Sequence, residues 1–111
     1  IFFCVRALSE KGDKILIQPP VYGPFFRAIE IFERTLVAND LLRTEDGWQM
    51  DFDSLEQQMA SGVKLMILCS PHNPIGRVWT REEVEKLVCL ANKYNVIIVF
   101  RSFLLLFSLL Y

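Results

Sequence analysis

KLMILC followed by SPHNPIGRVW, residues 64–79, is the stretch that decides the fold. Six residues, Lys64 to Cys69, read as a buried strand, and a proline-rich loop leaves its carboxyl end. A helix start follows at once, because Thr80 and Glu83 have capping-box spacing ahead of an apolar-periodic run. In open α/β sheets ligands sit outside the carboxyl ends of the strands, so Ser70 to Gly76 falls where a small-molecule site belongs.

Working outward from that loop, Lys14–Gln18 (KILIQ) is a short apolar run between turn signals, ended by Pro19-Pro20. Ile1 to Glu10 reads as the end of a helix, stopped by Lys11-Gly12-Asp13. From Gly23 to Phe32, residues Phe25, Ala28, Ile29 and Phe32 share one helical face. Arg34–Ala38 reads as a second strand and Leu41–Arg43 as a third, before a turn at residues 44–47. Asp53 and Glu56 give another helix start, with Leu55 and Met59 facing inward and Ser61-Gly62 closing it. After Thr80, residues Val84, Leu87, Val88, Ala91 and Tyr94 form one stripe, while Arg81, Glu82, Glu85 and Lys93 take the solvated side. Asn95 supplies a left-handed cap, and Val96–Phe100 is the last clear strand. Continuously apolar strands alternating with helices imply βαβ units. The expected fold is α/β, a three-layer αβα arrangement with a mainly parallel sheet.

Composition excludes several functions. The 111 residues are 52% hydrophobic and 23% charged with a net charge of -1, a globular balance without the basic block that nucleic acid binding needs. Cys4, Cys69 and Cys89 show no CxxC spacing and no even count, as expected of reduced thiols in the cytoplasm. No GxGxxG, Walker A or GxSxG occurs. The apolar region from Val96 to Tyr111 is interrupted by Arg101 and falls short of the roughly 20 residues of a spanning helix. With no initiator Met and an uncapped apolar end, the chain reads as a fragment, residues 1–100 forming a partial domain and 101–111 an aberrant apolar tail.

Two loops carry candidate chemistry. Tyr22, in Pro19-Pro20-Val21-Tyr22-Gly23-Pro24, has a flat face and a polar tip, and either stacks on a planar ligand or roofs the sheet. Asn73, between two prolines, either donates its amide to a ligand oxygen or serves as an ordinary turn residue. His72, the sole histidine, lacks a carboxylate or Cys at metal-ligand spacing and reads as a loop residue. Cys69 reads as packing. The expectation is that Tyr22 and Asn73 project from neighbouring strand tips toward one hollow.

With those residues quoted, the sequence resembles the fold-type I family of pyridoxal phosphate (PLP) enzymes, the class I/II aminotransferases. The likeness covers roughly residues 7–100 and rests on SPHNPIGRVWTREEVEKLVCLANKYNVIIV, GDKILIQPPVYGPFFRAIE and DGWQMDFDSLEQ. PPVYGPF, DGWQMDF and CSPHNPIGRVW look most like the cystathionine beta-lyase (C–S lyase) branch. The resemblance implies a partial PLP-binding large domain in which Tyr22 stacks on the cofactor's pyridine ring and Asn73 hydrogen-bonds its phenolic oxygen. It also implies an amino-acid substrate, a homodimeric parent, and either β-elimination or transamination. Ile75 stands where the family usually has Thr.

One departure is serious. After a strand like Val96–Phe100 the family has an Asp that pairs with the protonated pyridine nitrogen, and here that place holds Arg101. At about 4 Å and an effective dielectric near 20, the reversal of sign amounts to several kcal/mol. The family's Schiff-base lysine lies beyond residue 111, and its phosphate-binding loop precedes the first helix. Lys11, Lys14, Lys64, Lys86 and Lys93 occupy turn, strand-edge or helix-surface positions and cannot replace that lysine. The chain is therefore expected to have no catalytic residues and to be inactive. The other readings are a non-catalytic α/β piece without ligand, or a membrane or partner contact through the apolar tail.

Overall fold

The central sheet of the computed structural model, which describes residues 1–102, has four parallel strands in the order β2-β1-β5-β6. These are β1 (Lys14–Ile17), β2 (Thr35–Ala38), β5 (Val63–Cys69) and β6 (Ile97–Arg101). A separate antiparallel pair, β3 (Leu42–Thr44) and β4 (Gly47–Gln49), lies between β2 and β5 in the chain. The helices are α1 (Phe2–Leu8), α2 (Pro24–Ile31), α3 (Phe52–Ala60) and α4 (Arg81–Lys93). The apolar tail expected at 101–111 lies outside the described residues from 103 onward, and Arg101 is the last residue of β6.

The strands β1 and β5 are almost continuously buried because both faces of the sheet are covered. Their side chains alternate between two cores. Leu16, Met66 and Leu68 pack with Leu55, Met59, Leu87 and Ala91 from α3 and α4. Ile15, Ile17, Leu65, Ile67 and Cys69 pack on the other face with Val5, Phe25, Ala28 and Ile29 from α1 and α2. This is the three-layer arrangement expected from the alternation of apolar runs.

The chain leaves β1 toward β2, then returns to the other side of β1 to form β5 and β6. Crossovers of one hand running in opposite directions put their helices on opposite faces. The direction reverses between β1 and β5, and there the loops at their carboxyl ends diverge.

Local chemistry sets the boundaries. The capping box at α4 is complete: the Glu83 amide donates to Thr80 Oγ1 at 3.2 Å, and the Thr80 amide donates to Glu83 Oε2 at 2.7 Å. Asn95 follows that helix with φ of 56°, and Gly62 follows α3 with φ of 94°. Three expectations need correction. The α3 cap is Asp51, whose carboxylate accepts the Ser54 amide at 3.0 Å, two residues before the predicted Asp53 start. Val88 is 41% exposed, and Leu90 packs on the core in its stead. The third predicted strand belongs to the β3–β4 hairpin, whose second strand was not predicted.

Candidate functional site

Because β1 and β5 are parallel neighbours, Pro19–Pro24 and Ser70–Gly76 leave the same edge of the sheet side by side. The bonds Pro19–Pro20, Ser70–Pro71 and Asn73–Pro74 are all cis. The second loop folds back on itself: the His72 amide donates to Arg77 O at 2.7 Å and the Gly76 amide to His72 O at 2.6 Å.

His72 ties the loops together. Its ring is 1% exposed, and Nε2 lies 3.1 Å from Gln18 O and 3.0 Å from Pro20 O. Both neighbours are carbonyl acceptors, so Nε2 carries the proton and donates to them. Nδ1 is buried and meets no hydrogen-bond partner among the described residues. Burial holds the His72 pKa below its usual 6.5, outweighing the carbonyls of Pro20, Gln18 and Cys69 that pull it up. The Trp79 ring meets the imidazole edge-on at 5.4 Å and donates Nε1–H to Cys69 O at 2.9 Å. The sequence reading of His72 as a loop residue missed this role, since its partners are backbone carbonyls that leave no side-chain spacing to detect.

Other supports were also missed. Gln18 and Asn39, at the carboxyl ends of β1 and β2, are buried, and Gln18 Nε2 donates to Asn39 Oδ1 at 3.2 Å. Arg77 donates to Trp48 O at 3.0 Å and pairs with Glu83 at 2.7 Å, linking the loop to the β3–β4 hairpin and to α4.

Tyr22 is half-buried above the end of β1, with the Phe25 ring edge-to-face at 5.8 Å. It lines an open hollow with Ile1, Phe2, Pro24, Phe25 and Arg101. The Arg101 guanidinium carbon lies 4.2 Å from the centroid of the Tyr22 ring, a cation–π contact worth on the order of 1 kcal/mol. Asn73 is half-buried in the neighbouring loop, one residue from the His72 clip, and is not among the residues lining that hollow. The structure thus brings Arg101 to Tyr22, and joins the Asn73 loop to the Tyr22 loop through His72. Cys69 is buried, with its thiol 3.3 Å from Pro71 O.

The lysines lie elsewhere. Lys14 donates to Ser61 O at 2.9 Å, Lys11 pairs with Glu33 at 2.6 Å and Lys93 with Glu56 at 2.7 Å. Lys86 covers the Phe52 ring at 4.2 Å, and Lys64 is exposed near the amino end of β5. Among the described residues no cluster of His, Cys, Asp and Glu could hold a metal ion, and no helix is long and apolar enough to cross a membrane.

Comparison with known proteins shows what the chain is similar to. The family model for aminotransferase class I and II matches residues 1–101. Cystathionine beta-lyase PatB of Bacillus subtilis is 42% identical over 96 residues, 86% of this chain and 25% of PatB. Protein MalY of Escherichia coli is 38% identical over the same share of this chain and 25% of its own length. The crystal structure of cystalysin from Treponema denticola, which contains a pyridoxal 5′-phosphate cofactor, superposes with a TM-score of 0.85. Its identity is 36%, across 89% of this chain and 25% of that one. The chain thus spans about a quarter of the length of the relatives it matches.

Proposed function

Because this chain belongs to the aminotransferase class I and II family, we propose that it corresponds to a central piece of the cofactor-binding domain of a pyridoxal-phosphate-dependent enzyme. Tyr22 and Asn73 are the residues that would face the cofactor, Tyr22 by stacking on its ring and Asn73 by donating to its phenolic oxygen. The parent activity we favour is C–S β-lysis of an amino-acid substrate, supported by the 42% identity to a cystathionine beta-lyase. Transamination is the second reading, supported by the family match. A homodimeric cytoplasmic parent completes the proposal. The observation that carries it is the side-by-side exit of the Tyr22 and Asn73 loops where the strand order reverses between β1 and β5, clipped by His72.

The cofactor supplies an electron sink when its ring nitrogen is protonated, and a carboxylate is needed beside that nitrogen to keep it so. The residues present do not fit that requirement. A guanidinium lies against Tyr22, and the five lysines sit in turns, on helix surfaces or near the amino ends of strands. We therefore propose that the 111-residue chain catalyses nothing by itself.

Two experiments separate the parent from the piece. Mixing the purified chain with pyridoxal phosphate and reducing with borohydride should give no stoichiometric adduct at one defined lysine by mass spectrometry. A single specific adduct would overturn the inactive reading. Placing residues 7–100 in PatB in place of its matching segment, with Arg101 left out, should preserve β-elimination of cystathionine. A folded chimera that transaminates but does not eliminate would overturn the lyase reading.

A further inference from the structure

Arg101 reaches Tyr22 because of strand register. In β5 and β6 the pairs Leu65–Ile97, Ile67–Val99 and Cys69–Arg101 lie opposite one another. Side chains of registered parallel neighbours share a face, and alternate residues along a strand return to it. Leu65, Ile67 and Cys69 pack on the α1–α2 side with Ile97 and Val99, so Arg101 is directed to that side, where Tyr22 and Phe25 also lie. Its guanidinium carbon sits 4.2 Å from the Tyr22 centroid and 5.8 Å from that of Phe25. Stacked aromatic rings hold their centroids about 4.5–7 Å apart, so the guanidinium fills the space a flat ring would take on that side of Tyr22.

Resting on the reading of Tyr22 as a ring-stacking residue, we propose that Arg101 is an internal occupant of the Tyr22 face, closing this hollow to a protonated pyridine ring. Two effects act together. The guanidinium excludes the ring by volume, and its positive charge opposes a protonated ring nitrogen. Replacing Arg101 with a carboxylate removes both at once, whereas a neutral side chain of similar length removes the charge and leaves most of the bulk.

The test uses the full chain and pyridoxine 5′-phosphate, which carries the cofactor's ring and phosphate but no aldehyde to react with surface lysines. Isothermal titration should detect no binding to the native chain at millimolar ligand. Arg101→Asp should bind at least about tenfold more tightly, Arg101→Met should fall between, and adding Tyr22→Leu should abolish the gain. The ligand is an anion, so removing a cation weakens general attraction, and a gain in Arg101→Asp cannot come from net charge. Circular dichroism establishes that each variant folds, and Arg101→Met carries the test if the carboxylate variant does not. Independently, the Arg101 δ protons should show an upfield ring-current shift in NMR spectra that disappears in Tyr22→Leu. Native binding as tight as that of Arg101→Asp, and lost with Tyr22→Leu, would overturn the occlusion while leaving Tyr22 as a stacking residue. Absence of binding in every folded variant would overturn both. Unshifted Arg101 protons would overturn the occlusion alone.

Discussion

Removing the donor of the His72 clip should loosen the two loops by a calculable amount. In His72→Phe a slightly larger aromatic ring still meets Trp79, but the N–H shared by Gln18 O and Pro20 O is lost. Leaving buried acceptors unpaired costs about 1–3 kcal/mol. The substitution also removes Nδ1, which is buried without a hydrogen-bond partner among the described residues, and that relief offsets part of the loss. The net destabilisation is about 1–2 kcal/mol. His72→Ala adds the loss of the ring's packing and should cost about 1–2 kcal/mol more. Urea unfolding followed by fluorescence of Trp48 and Trp79 measures both. A His72→Phe midpoint equal to the native one, with unchanged slope, would refute the clip.

The same geometry fixes a pH dependence. Nε2 already donates in the neutral ring, so a second proton must go to Nδ1, which is buried and has no hydrogen-bond partner among the described residues. Burial therefore keeps the folded-state pKa below the usual 6.5, and the unfolded chain takes up the proton first. The contribution is complete above about pH 6.5 and declines as pH falls from there toward the folded-state pKa. His72→Phe should lack this component, so the difference between native and variant stability should shrink on acidification. With one histidine in the chain, its NMR signals are assigned without ambiguity. An imidazole that titrates in the native chain at or above its usual value would sink the argument.

Four further outcomes follow from the packing and the turns. Thr80→Ala should cost about 1 kcal/mol by removing one half of the α4 capping box, and Thr80→Ser should restore most of it in the same urea titration. Leu87→Ala, at a fully buried position between α4 and the sheet, should cost about 2–5 kcal/mol and broaden or abolish the thermal transition. Gly62→Ala should cost about 1–2 kcal/mol from its positive φ alone, because an added methyl meets no atom within 4 Å there. Gly23→Ala, with equal room and an ordinary helical φ, should be neutral or stabilising by about 0.4–1 kcal/mol. Comparing the two melting points separates backbone strain from crowding.

How much of this was legible depended on whether a signal lay along the chain or across it. The strands read as KILIQ and KLMILC, observed as Lys14–Ile17 and Val63–Cys69, were readable because burial on both faces demands an unbroken apolar run. The start of α4 was readable because both partners of its capping box lie within four residues. The start of α3 was misread because Asp51 and Asp53 are equally good caps by type. The structure uses Asp51, beginning the helix at Phe52, whose ring packs against the core. β4 was missed because three residues are too few to show a period of two. Val88 was misplaced because the stripe Val84, Leu87, Val88, Ala91 is wider than the face the sheet covers, which leaves one edge to solvent.

The candidate site is the extreme case of a signal across the chain. Tyr22 and Asn73 stood out by residue type within proline-rich loops, but His72 is joined to Gln18 O across 54 residues by a bond that no sequence spacing encodes. Arg101 was visible in the sequence only as a wrong charge. Its position over Tyr22 requires knowing that β6 pairs with β5 so that residue 101 stands opposite residue 69. A shift of that register by one residue would turn Arg101 to the α3–α4 face, away from Tyr22, and bring Phe100, now 51% exposed, to the side where Tyr22 lies. Strand pairing therefore determines which charge meets the aromatic ring, and the apolar alternation of Ile97 and Val99 against Leu65 and Ile67 holds that pairing in place.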